Sequence, residues 1–301
     1  MNKLMSAGDV VGQLASGMTI GIGGWGPRRK PMALVREILR SDLKDLTVVA
    51  YGGADVGMLC AAGKVRKVVF AFVSLDFIPL EPYFRLARQK GELEIMEIDE
   101  GMYLLGLRAA AMRVPFLPTK IGLGTDVLRH NPQIKTIVSP YADGRELVAM
   151  PAIELDAALI HADRADARGV CQIKGPDHYM DDVMARAAGK TYVSCDELVD
   201  SSFFASPEEA RYVFWERSET TGVVHIPGGA HPSSCSPLYG FDVPHFKEYQ
   251  ASAGQENGWS DDGMQSVVRV DSDQVHEWVH GLLEGQQQGK TEEVTYTPDQ
   301  T

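Results

Sequence analysis

The chain has few cysteines and no long apolar run. Only four of its 301 residues are cysteine, and these stand apart with no CxxC pair. Isolated thiols argue against a zinc ribbon or a disulfide-stapled fold, and they are typical of the reducing cytoplasm. No stretch approaches about 18 uninterrupted apolar residues, and the first residues lack the apolar segment of a secretory signal peptide. We therefore expect a soluble, cytoplasmic protein.

Basic residues are scarce relative to acidic ones. Lysine and arginine number 29 against 41 aspartates and glutamates, which gives a net charge of −12. Such a surface repels nucleic-acid backbones and anionic membranes, so functions that depend on either partner are disfavoured. An anionic ligand therefore needs a local basic site. With 44% hydrophobic and 23% charged residues, the composition is otherwise that of a globular protein with a real core.

Short apolar runs alternate with amphipathic stretches along the chain. We interpret the runs as buried strands: 18–22, 46–51, 68–73, 93–98, 157–161, 192–195 and 223–226. The amphipathic stretches 32–40, 102–112 and 179–188 predict helices, the first with Pro31 at its first position. This alternation predicts an α/β fold, with an open, mostly parallel sheet and helices on both of its faces.

Domain boundaries are faint. Residues 132–151 are polar and turn-rich but do not resemble a flexible linker. We therefore expect one α/β domain over residues 1–284, with that stretch as an excursion from it. Residues 285–301 include three consecutive glutamines and almost no apolar side chains, so they are predicted to form a mobile polar tail.

The densest motif is a glycine loop that follows the first predicted strand. Gly21, Gly23 and Gly26 spell GxGxxG, and the loop continues into Arg28, Arg29 and Lys30. Two prolines delay the next helix, and no acid lies at the end of the next strand, so a dinucleotide site is disfavoured. The interpretation of the loop as a purely structural turn remains open. We favour an active-site loop whose free amide groups and nearby cations meet a carbonyl oxygen or a carboxylate.

Histidines offer a weaker signal. His276 and His280 form a literal HExxH, yet the segment lacks a clear third ligand and carries an ordinary apolar stripe, so a surface helix is the better interpretation. His225, His231 and His245 have no metal-like spacing and are expected to be hydrogen-bonded or at the surface. No metal site is predicted.

An acidic cluster marks the junction between a predicted strand and a helix. Asp99 and Glu100 stand there, followed by Gly101. Acids in a first helical turn are expected on dipole grounds alone. In open parallel sheets, however, ligands bind at the carboxyl ends of strands, and a carboxylate partly withdrawn from water there becomes a stronger base. Glu100 is therefore the first catalytic candidate.

Several segments together resemble the class I CoA-transferase family. The segment from Ser16 to Pro31 resembles the N-terminal signature of these enzymes, in particular of glutaconate CoA-transferase α-subunits. The similarity continues in order through residues 115–118, 156–162 and 229–239, so it covers almost the whole chain. Two positions depart from the signature, since Trp25 stands where phenylalanine is usual and Arg29 stands where glycine is usual.

The resemblance implies an α-subunit that pairs with a β-subunit of similar fold, in an α2β2 assembly with active sites at the interface between them. Within the family the chain is most similar to the α-subunits of hydrolases that open the last steroid ring of a CoA thioester in cholesterol catabolism. These subunits carry an Asp-Glu-Gly that Asp99, Glu100 and Gly101 match. Glu100 is then expected to activate water, and no cofactor is expected because CoA is part of the substrate.

The resemblance and the loop positions together give a set of expected substrate-binding residues. The glycine loop contributes walls, Arg29 or Lys30 binds a substrate carboxylate or enolate oxygen, and loops after neighbouring strands complete the pocket. The set is Gly23, Gly24, Trp25, Arg29, Lys30, Tyr51, Gly52, Gly53, Ser74, Gly122 and Gly124.

Three alternatives remain open at this point. The chain could be the α-subunit of a true glutaconate-type CoA-transferase, in which the β-type sequence carries a glutamate nucleophile in a Glu-Asn-Gly setting. Glu256-Asn257-Gly258 matches those letters but follows no buried strand, so we interpret it as accidental. The chain could also be a noncatalytic scaffold or, least well supported, a nicotinamide-dependent oxidoreductase.

Overall fold

The fold is an open α/β sheet with a small second sheet attached. The computed structural model describes residues 2–253 except residue 79. The predicted tail at 285–301, the HExxH segment at 276–280 and Glu256-Asn257-Gly258 lie outside the described residues. Within them, no helix is long and apolar enough to cross a lipid bilayer.

Strands and helices alternate through most of the chain. The strands are β1 (Thr19–Ile22), β2 (Leu46–Ala50), β3 (Val65–Phe70), β4 (Glu94–Glu97), β5 (Phe116–Thr119), β6 (Lys135–Val138), β7 (Glu146–Pro151), β8 (Leu155–Asp166), β9 (Cys171–Gln172), β10 (Ala188–Val199) and β11 (Thr220–His225). The helices are α1 (Ala7–Val11), α2 (Met32–Arg40), α3 (Ala54–Ala61), α4 (Pro82–Lys90), α5 (Glu100–Ala111), α6 (Asp126–His130), α7 (Asp181–Ala187), α8 (Pro207–Ala210) and α9 (Val243–Ser252), with a 3-10 helix at Ser201–Ala205.

The central sheet has the order β11-β10-β8-β1-β2-β3-β4, and all six of these pairings are parallel. The short β9 adds to β8 in the antiparallel direction. All seven predicted strands are confirmed as the seven parallel strands, with shifted ends. The predicted α/β class is therefore confirmed.

The predicted helices are also present, and their ends differ slightly. Helix α5 begins at Glu100 instead of residue 102, because Asp99 caps it by accepting a hydrogen bond from the Gly101 N–H at 2.7 Å. Helix α7 begins at Asp181 instead of residue 179. Pro31 occupies the N-cap position, just before α2, instead of the first position inside the helix.

The core lies on both faces of the central sheet. Val48 belongs to one buried cluster, with α2 and α3, and its neighbour Val49 belongs to the other, with α5 and α7. Alternate side chains of a strand point to opposite faces, so a strand covered on both sides reads as one continuous apolar run.

The excursion at 132–151 contains two strands that the sequence did not predict, β6 and β7. Together with β5, which precedes the excursion, they form a three-stranded antiparallel sheet in the order β5-β7-β6. Val148 and Met150 on β7 are buried in the cluster that includes α5, and the residues on either side of Val148 are partly exposed. One face of this small sheet therefore packs on the helical layer beside α5.

Glu81 is a buried carboxyl group that ties two helices together. It caps α4 by accepting a hydrogen bond from the Phe84 N–H, and it accepts another from the Tyr249 hydroxyl on α9. Its side chain is 1% exposed, and burial raises the pKa from its ordinary 4.5 to about 7 against the effect of these hydrogen bonds.

We predict that Glu81→Gln flattens the pH dependence of stability between pH 4.5 and 7. Because the folded state holds the Glu81 proton up to about pH 7 and the unfolded state loses it near 4.5, the wild-type free energy of unfolding falls as pH rises through this window. The variant stays neutral, so it should lack the loss of roughly 3 kcal/mol that wild type undergoes across this window.

Urea unfolding of both proteins at several pH values measures this difference. Glu248→Gln, which changes an exposed carboxylate on the same helix α9, serves as the control and should leave the pH slope unchanged. Equal slopes for Glu81→Gln and wild type would contradict the prediction.

Candidate functional site

The glycine loop leaves the sheet where its strand order reverses. Strand β1 lies between β8 and β2: the chain adds β2, β3 and β4 outward on one side of β1, and later adds β8, β10 and β11 outward on the other side. A crevice opens at the carboxyl ends of parallel strands at such a reversal, and ligands of open α/β sheets bind there. The loop from Gly23 onward lies at this point of the fold.

The amide groups of the glycine loop are not free. The N–H groups of Gly23 and Trp25 donate to the carbonyl oxygens of Leu159 and Arg28, at 2.8 and 2.9 Å. The Gly24 N–H donates to Asp181 Oδ1 at 2.8 Å. The Gly26 N–H donates to the Tyr51 carbonyl at 3.2 Å. The expectation that these four amides await a ligand oxygen is therefore wrong.

Glycine is required at position 24 for two reasons. Its φ is +75°, in the left-handed region, and a Cβ atom there would collide with the carbonyl oxygen of Arg28. The tight turn between Trp25 and Arg28 depends on this close approach. The loop is thus a rigid turn that presents side chains rather than amides.

Arg29 is buried and paired rather than available to a substrate. Its side chain is 3% exposed, and its guanidinium contacts Asp181 Oδ2 and donates to the carbonyl oxygens of His161 and Asp177. Burial disfavours the charged form, yet Asp181 raises the pKa of Arg29 above its usual value. Its φ of +47° lies in the region that favours glycine, which is the residue that the family signature has here. The expectation that Arg29 binds a substrate oxygen is corrected accordingly.

Lys30 has the same kind of role in a second pair. Its Nζ is fully buried and lies 3.1 Å from Asp55 Oδ2. Burial lowers the pKa of Lys30, and Asp55 opposes that shift. Asp55 also accepts a hydrogen bond from the Gly53 N–H at 2.7 Å. The expectation that Lys30 meets a substrate is therefore also corrected, because its charge balances a buried carboxylate.

Asp181 and Asp55 are positions of the site that sequence reasoning missed. Each accepts a hydrogen bond from a glycine amide at the site, and each is neutralised by a member of the basic cluster. No local signal pairs them, because they lie in segments of the chain distant from the cations that they contact.

Arg28 is the member of the basic cluster that keeps partial exposure. It forms an ion pair with Asp76, with about a third of its side chain exposed, and it lies 4.8 Å from the centre of the Trp25 ring. Arg28 was not among the expected substrate-binding residues.

The loops after β1, β2 and β3 are joined by backbone contacts, as expected from the parallel sheet. The Gly52 N–H donates to the Phe72 carbonyl at 3.1 Å, and the Ser74 N–H donates to the Gly52 carbonyl at 3.0 Å. Gly53 lies so close to the Gly26 carbonyl that a Cβ atom at position 53 would collide with it. The structure thus brings the glycine loop, Tyr51 to Gly53 and Ser74 together.

Glu100 is connected to this group through Tyr51. The Tyr51 hydroxyl donates to the Glu100 carbonyl oxygen at 3.3 Å, and burial, with Glu100 and Asp99 nearby, raises the pKa of Tyr51. Glu100 is the first residue of α5 and its side chain is exposed. The partial desolvation expected for this carboxylate is therefore not present in the chain by itself.

Gly122 and Gly124 lie near the site, but not at the end of a strand of the central sheet as expected. They follow β5 of the small sheet instead of a strand of the central sheet. Their neighbour Ile121 packs so close to Gly101 that a Cβ atom on Gly101 would touch the Ile121 side chain. The turn that holds both glycines therefore lies against the first turn of α5, beside Glu100.

Two clefts flank the group. A cleft of about 600 Å³ lies along the end of β4, and its walls include Arg88, Glu97, Asp99, Asp126 and His130. Its three carboxylates make it unfavourable for a polyanion. A second cleft of about 320 Å³ is lined by Arg28, Tyr179, Ser234 and Phe241, among others.

A buried Ser-His-Asp network lies behind the glycine loop. His161 bridges Ser194 Oγ and Asp196 Oδ2, both at 2.8 Å, and Asp196 also accepts hydrogen bonds from the Gly228 N–H and the Tyr239 hydroxyl. His161 is fully buried, as is Ser194. We assign this network a structural role, since a nucleophile must be reached by its substrate.

Two of the singled-out histidines meet in space. His231 Nε2 lies 2.8 Å from Asp242 Oδ2, and the His245 ring packs edge-on against the His231 ring. Burial lowers the pKa of both imidazoles, to about 4 for His245. The buried Arg36 donates to the His231 carbonyl oxygen at 2.7 Å, so its positive charge disfavours a metal ion beside the pair.

Comparisons with known proteins agree with this architecture. The sequence profile described as Coenzyme A transferase matches residues 4–212. The chain is 47% identical to the cholesterol ring-cleaving hydrolase IpdA subunit of Rhodococcus jostii (strain RHA1), over 86% of this chain and 89% of that protein. It is 31% identical to a glutaconate CoA-transferase subunit of Acidaminococcus fermentans, over 85% of each.

A solved structure shows the same fold. The crystal structure of glutaconate coenzyme A-transferase from Acidaminococcus fermentans superposes with a TM-score of 0.83 at 27% identity, and the match covers 92% of each chain. The overall architecture of the chain thus occurs in a solved enzyme.

We predict that Arg29→Met lowers the free energy of unfolding by about 3–5 kcal/mol, because it leaves the buried Asp181 carboxylate without its counter-ion. The matched variant Arg28→Met, which removes a partly exposed pair with Asp76, should cost less than about 1 kcal/mol.

Urea unfolding of both variants beside wild type measures the two costs. Similar small losses for Arg29→Met and Arg28→Met would contradict the structural role given to Arg29.

Proposed function

Because the chain belongs to the coenzyme A transferase family, we propose that it is one subunit of a heteromeric hydrolase that opens a ring of a steroid-derived cyclic diketone acyl-CoA. The observation that carries this proposal is the position of Glu100, an exposed carboxylate at the start of α5 beside the joined loops. The similarity to proteins named cholesterol ring-cleaving hydrolase subunits supports the substrate class.

The chemistry that Glu100 performs in this proposal is general base catalysis. Its carboxylate takes a proton from water, and the resulting hydroxide adds to one ring carbonyl of a β-diketone. The carbon–carbon bond between that carbonyl carbon and the carbon between the two ketones then breaks. One product end is a carboxylic acid, and the electron pair of the broken bond forms an enolate on the other. Protonation of that enolate by Glu100 restores the carboxylate.

A partner subunit completes the proposed site. The relatives are named subunits, so a partner is part of such enzymes. We propose a β-subunit of similar fold in an α2β2 assembly, with the site at the interface. The partner would cover Glu100, and the removal of water favours proton uptake by a carboxylate. Because the cleft at β4 is rich in acids, the partner supplies the cations for the CoA phosphates in this proposal.

No cofactor enters the proposed reaction, because water, a carboxylate base and the carbonyls of the substrate supply every step. The CoA group belongs to the substrate. We also propose a cytoplasmic location, which suits the four free thiols at Cys60, Cys171, Cys195 and Cys235.

The second candidate is a true CoA-transferase subunit. The structural match to glutaconate coenzyme A-transferase favours it at the level of fold. Such a reaction needs a carboxylate nucleophile that attacks the thioester and forms a glutamyl-CoA thioester, and the resemblance places that glutamate in the β-type sequence.

We predict that Glu100→Gln in the assembled complex lowers the rate of ring opening at least about 100-fold, because the amide cannot accept the proton of water. Product analysis by mass spectrometry on a ring-retaining steroid acyl-CoA measures the rate. Glu94→Gln, which changes an exposed carboxylate on β4, is the control and should keep the wild-type rate. Ring opening by Glu100→Gln at the wild-type rate would exclude Glu100 as the base.

The two candidate reactions also differ in a covalent intermediate. We expect no trapped glutamyl adduct when the complex is incubated with acyl-CoA and hydroxylamine and then digested for mass spectrometry. A glutamyl hydroxamate on either protein of the complex would favour the transferase.

A further inference from the structure

Five aromatic rings from five segments form a continuous row at the site, which we call the aromatic row: Tyr179, Trp25, Phe72, Tyr51 and Tyr103. Neighbouring ring centres lie 6.1, 4.8, 5.2 and 4.6 Å apart in that order. These distances are typical of contacting aromatic pairs. Phe72 is the central ring, and it was not singled out from the sequence.

The row ends at the candidate base. Tyr51, the fourth ring, donates its hydroxyl hydrogen bond to the Glu100 carbonyl oxygen at 3.3 Å, and Tyr103 lies in the first turn of α5. The opposite end, Tyr179, lines the 320 Å³ cleft with Arg28. The row therefore runs from that cleft to the start of α5.

Exposure divides the row into two parts. Tyr51 and Tyr103 are buried, with at most 1% of each exposed, and they pack in the core cluster of α5. Trp25 and Phe72 are only partly buried and contact that cluster from outside. Core packing thus accounts for the two tyrosines but leaves Trp25 and Phe72 partly exposed, in the same row as Tyr51, the ring that contacts Glu100.

Charged side chains stand on both sides of this partly exposed aromatic surface. Glu100 and Asp99 are exposed carboxylates on one side, and Arg28 with Asp76 lies on the other. A ligand that is apolar next to its reacting group can cover the rings without burying these charges.

We propose that Trp25 and Phe72 bind the apolar, ring-bearing acyl group of the substrate and thereby determine specificity for bulky alicyclic thioesters over short acyl groups. This inference rests on the proposed function only in taking the ligand to be a CoA thioester. Flat or alicyclic hydrocarbon packs on ring faces, whereas an acetyl group is too small to reach both rings. The CoA part is common to all thioesters.

The test is binding rather than turnover, so it stays independent of Glu100. Calorimetric titration of the assembled complex with cyclohexanecarbonyl-CoA, which has no diketone to cleave, is compared with titration with acetyl-CoA. We expect Phe72→Ala to weaken binding of the cyclohexyl thioester about tenfold and to leave acetyl-CoA binding unchanged. Trp25→Leu should act in the same direction.

Controls keep the result interpretable. Phe72→Leu retains bulk and core contact, so it tests the ring itself if Phe72→Ala fails to fold. Phe204→Leu changes an aromatic residue in the 3-10 helix, which packs on Phe203, and should alter neither affinity. Unchanged cyclohexyl affinity in Phe72→Leu and Trp25→Leu, or an equal loss for both thioesters, would overturn the proposal. The proposal would also be overturned if the only effect of these changes were a failure to assemble with the partner. In that case the partner, and not the acyl group, would cover the rings.

Discussion

Two buried ion pairs hold the centre of this molecule together. Asp181 and Asp55 each accept a hydrogen bond from a glycine N–H in a loop at the carboxyl ends of the strands. Arg29 and Lys30 supply the opposite charges. A buried carboxylate without a cation is costly, and a buried cation without a carboxylate is equally costly. Neither loop can therefore keep its shape unless both members of its pair are in place. The positions of the aromatic row and of Glu100 follow from these loops, because Trp25 and Tyr51 belong to them.

The sequence predicts the central sheet well, since strands that are covered on both faces must be apolar throughout. The small sheet escapes prediction because its strands alternate between a covered and an open face, are only a few residues long, and include Pro118 and Pro151. The apolar pattern of each of these strands is weak. The buried face of the sheet is evident only in the structure, where Val148 and Met150 pack in the cluster that includes α5.

The site is predicted in part for a similar reason. Sequence order identifies which loops follow which strands, so the meeting of the glycine loop with Tyr51 and Ser74 is foreseeable. Sequence order does not show which distant residues will pair with a given charge. A cluster of three cations beside glycines therefore suggests a site for a ligand anion. The structure shows that all three cations pair with the protein's own carboxylates, and that only the pair of Arg28 with Asp76 is partly exposed.

The small sheet lies between β4 and β8 in the chain, and this has a consequence for how the site is assembled. The chain leaves the central sheet at the edge strand β4 and rejoins it at β8, beside β1. The segment between them carries α5, Glu100 and the turn at Gly122. The candidate base therefore comes from the edge of the sheet, whereas Trp25 and Tyr51 come from its centre, and the alignment of the two depends on the contacts of Tyr51 with Glu100 and Tyr103.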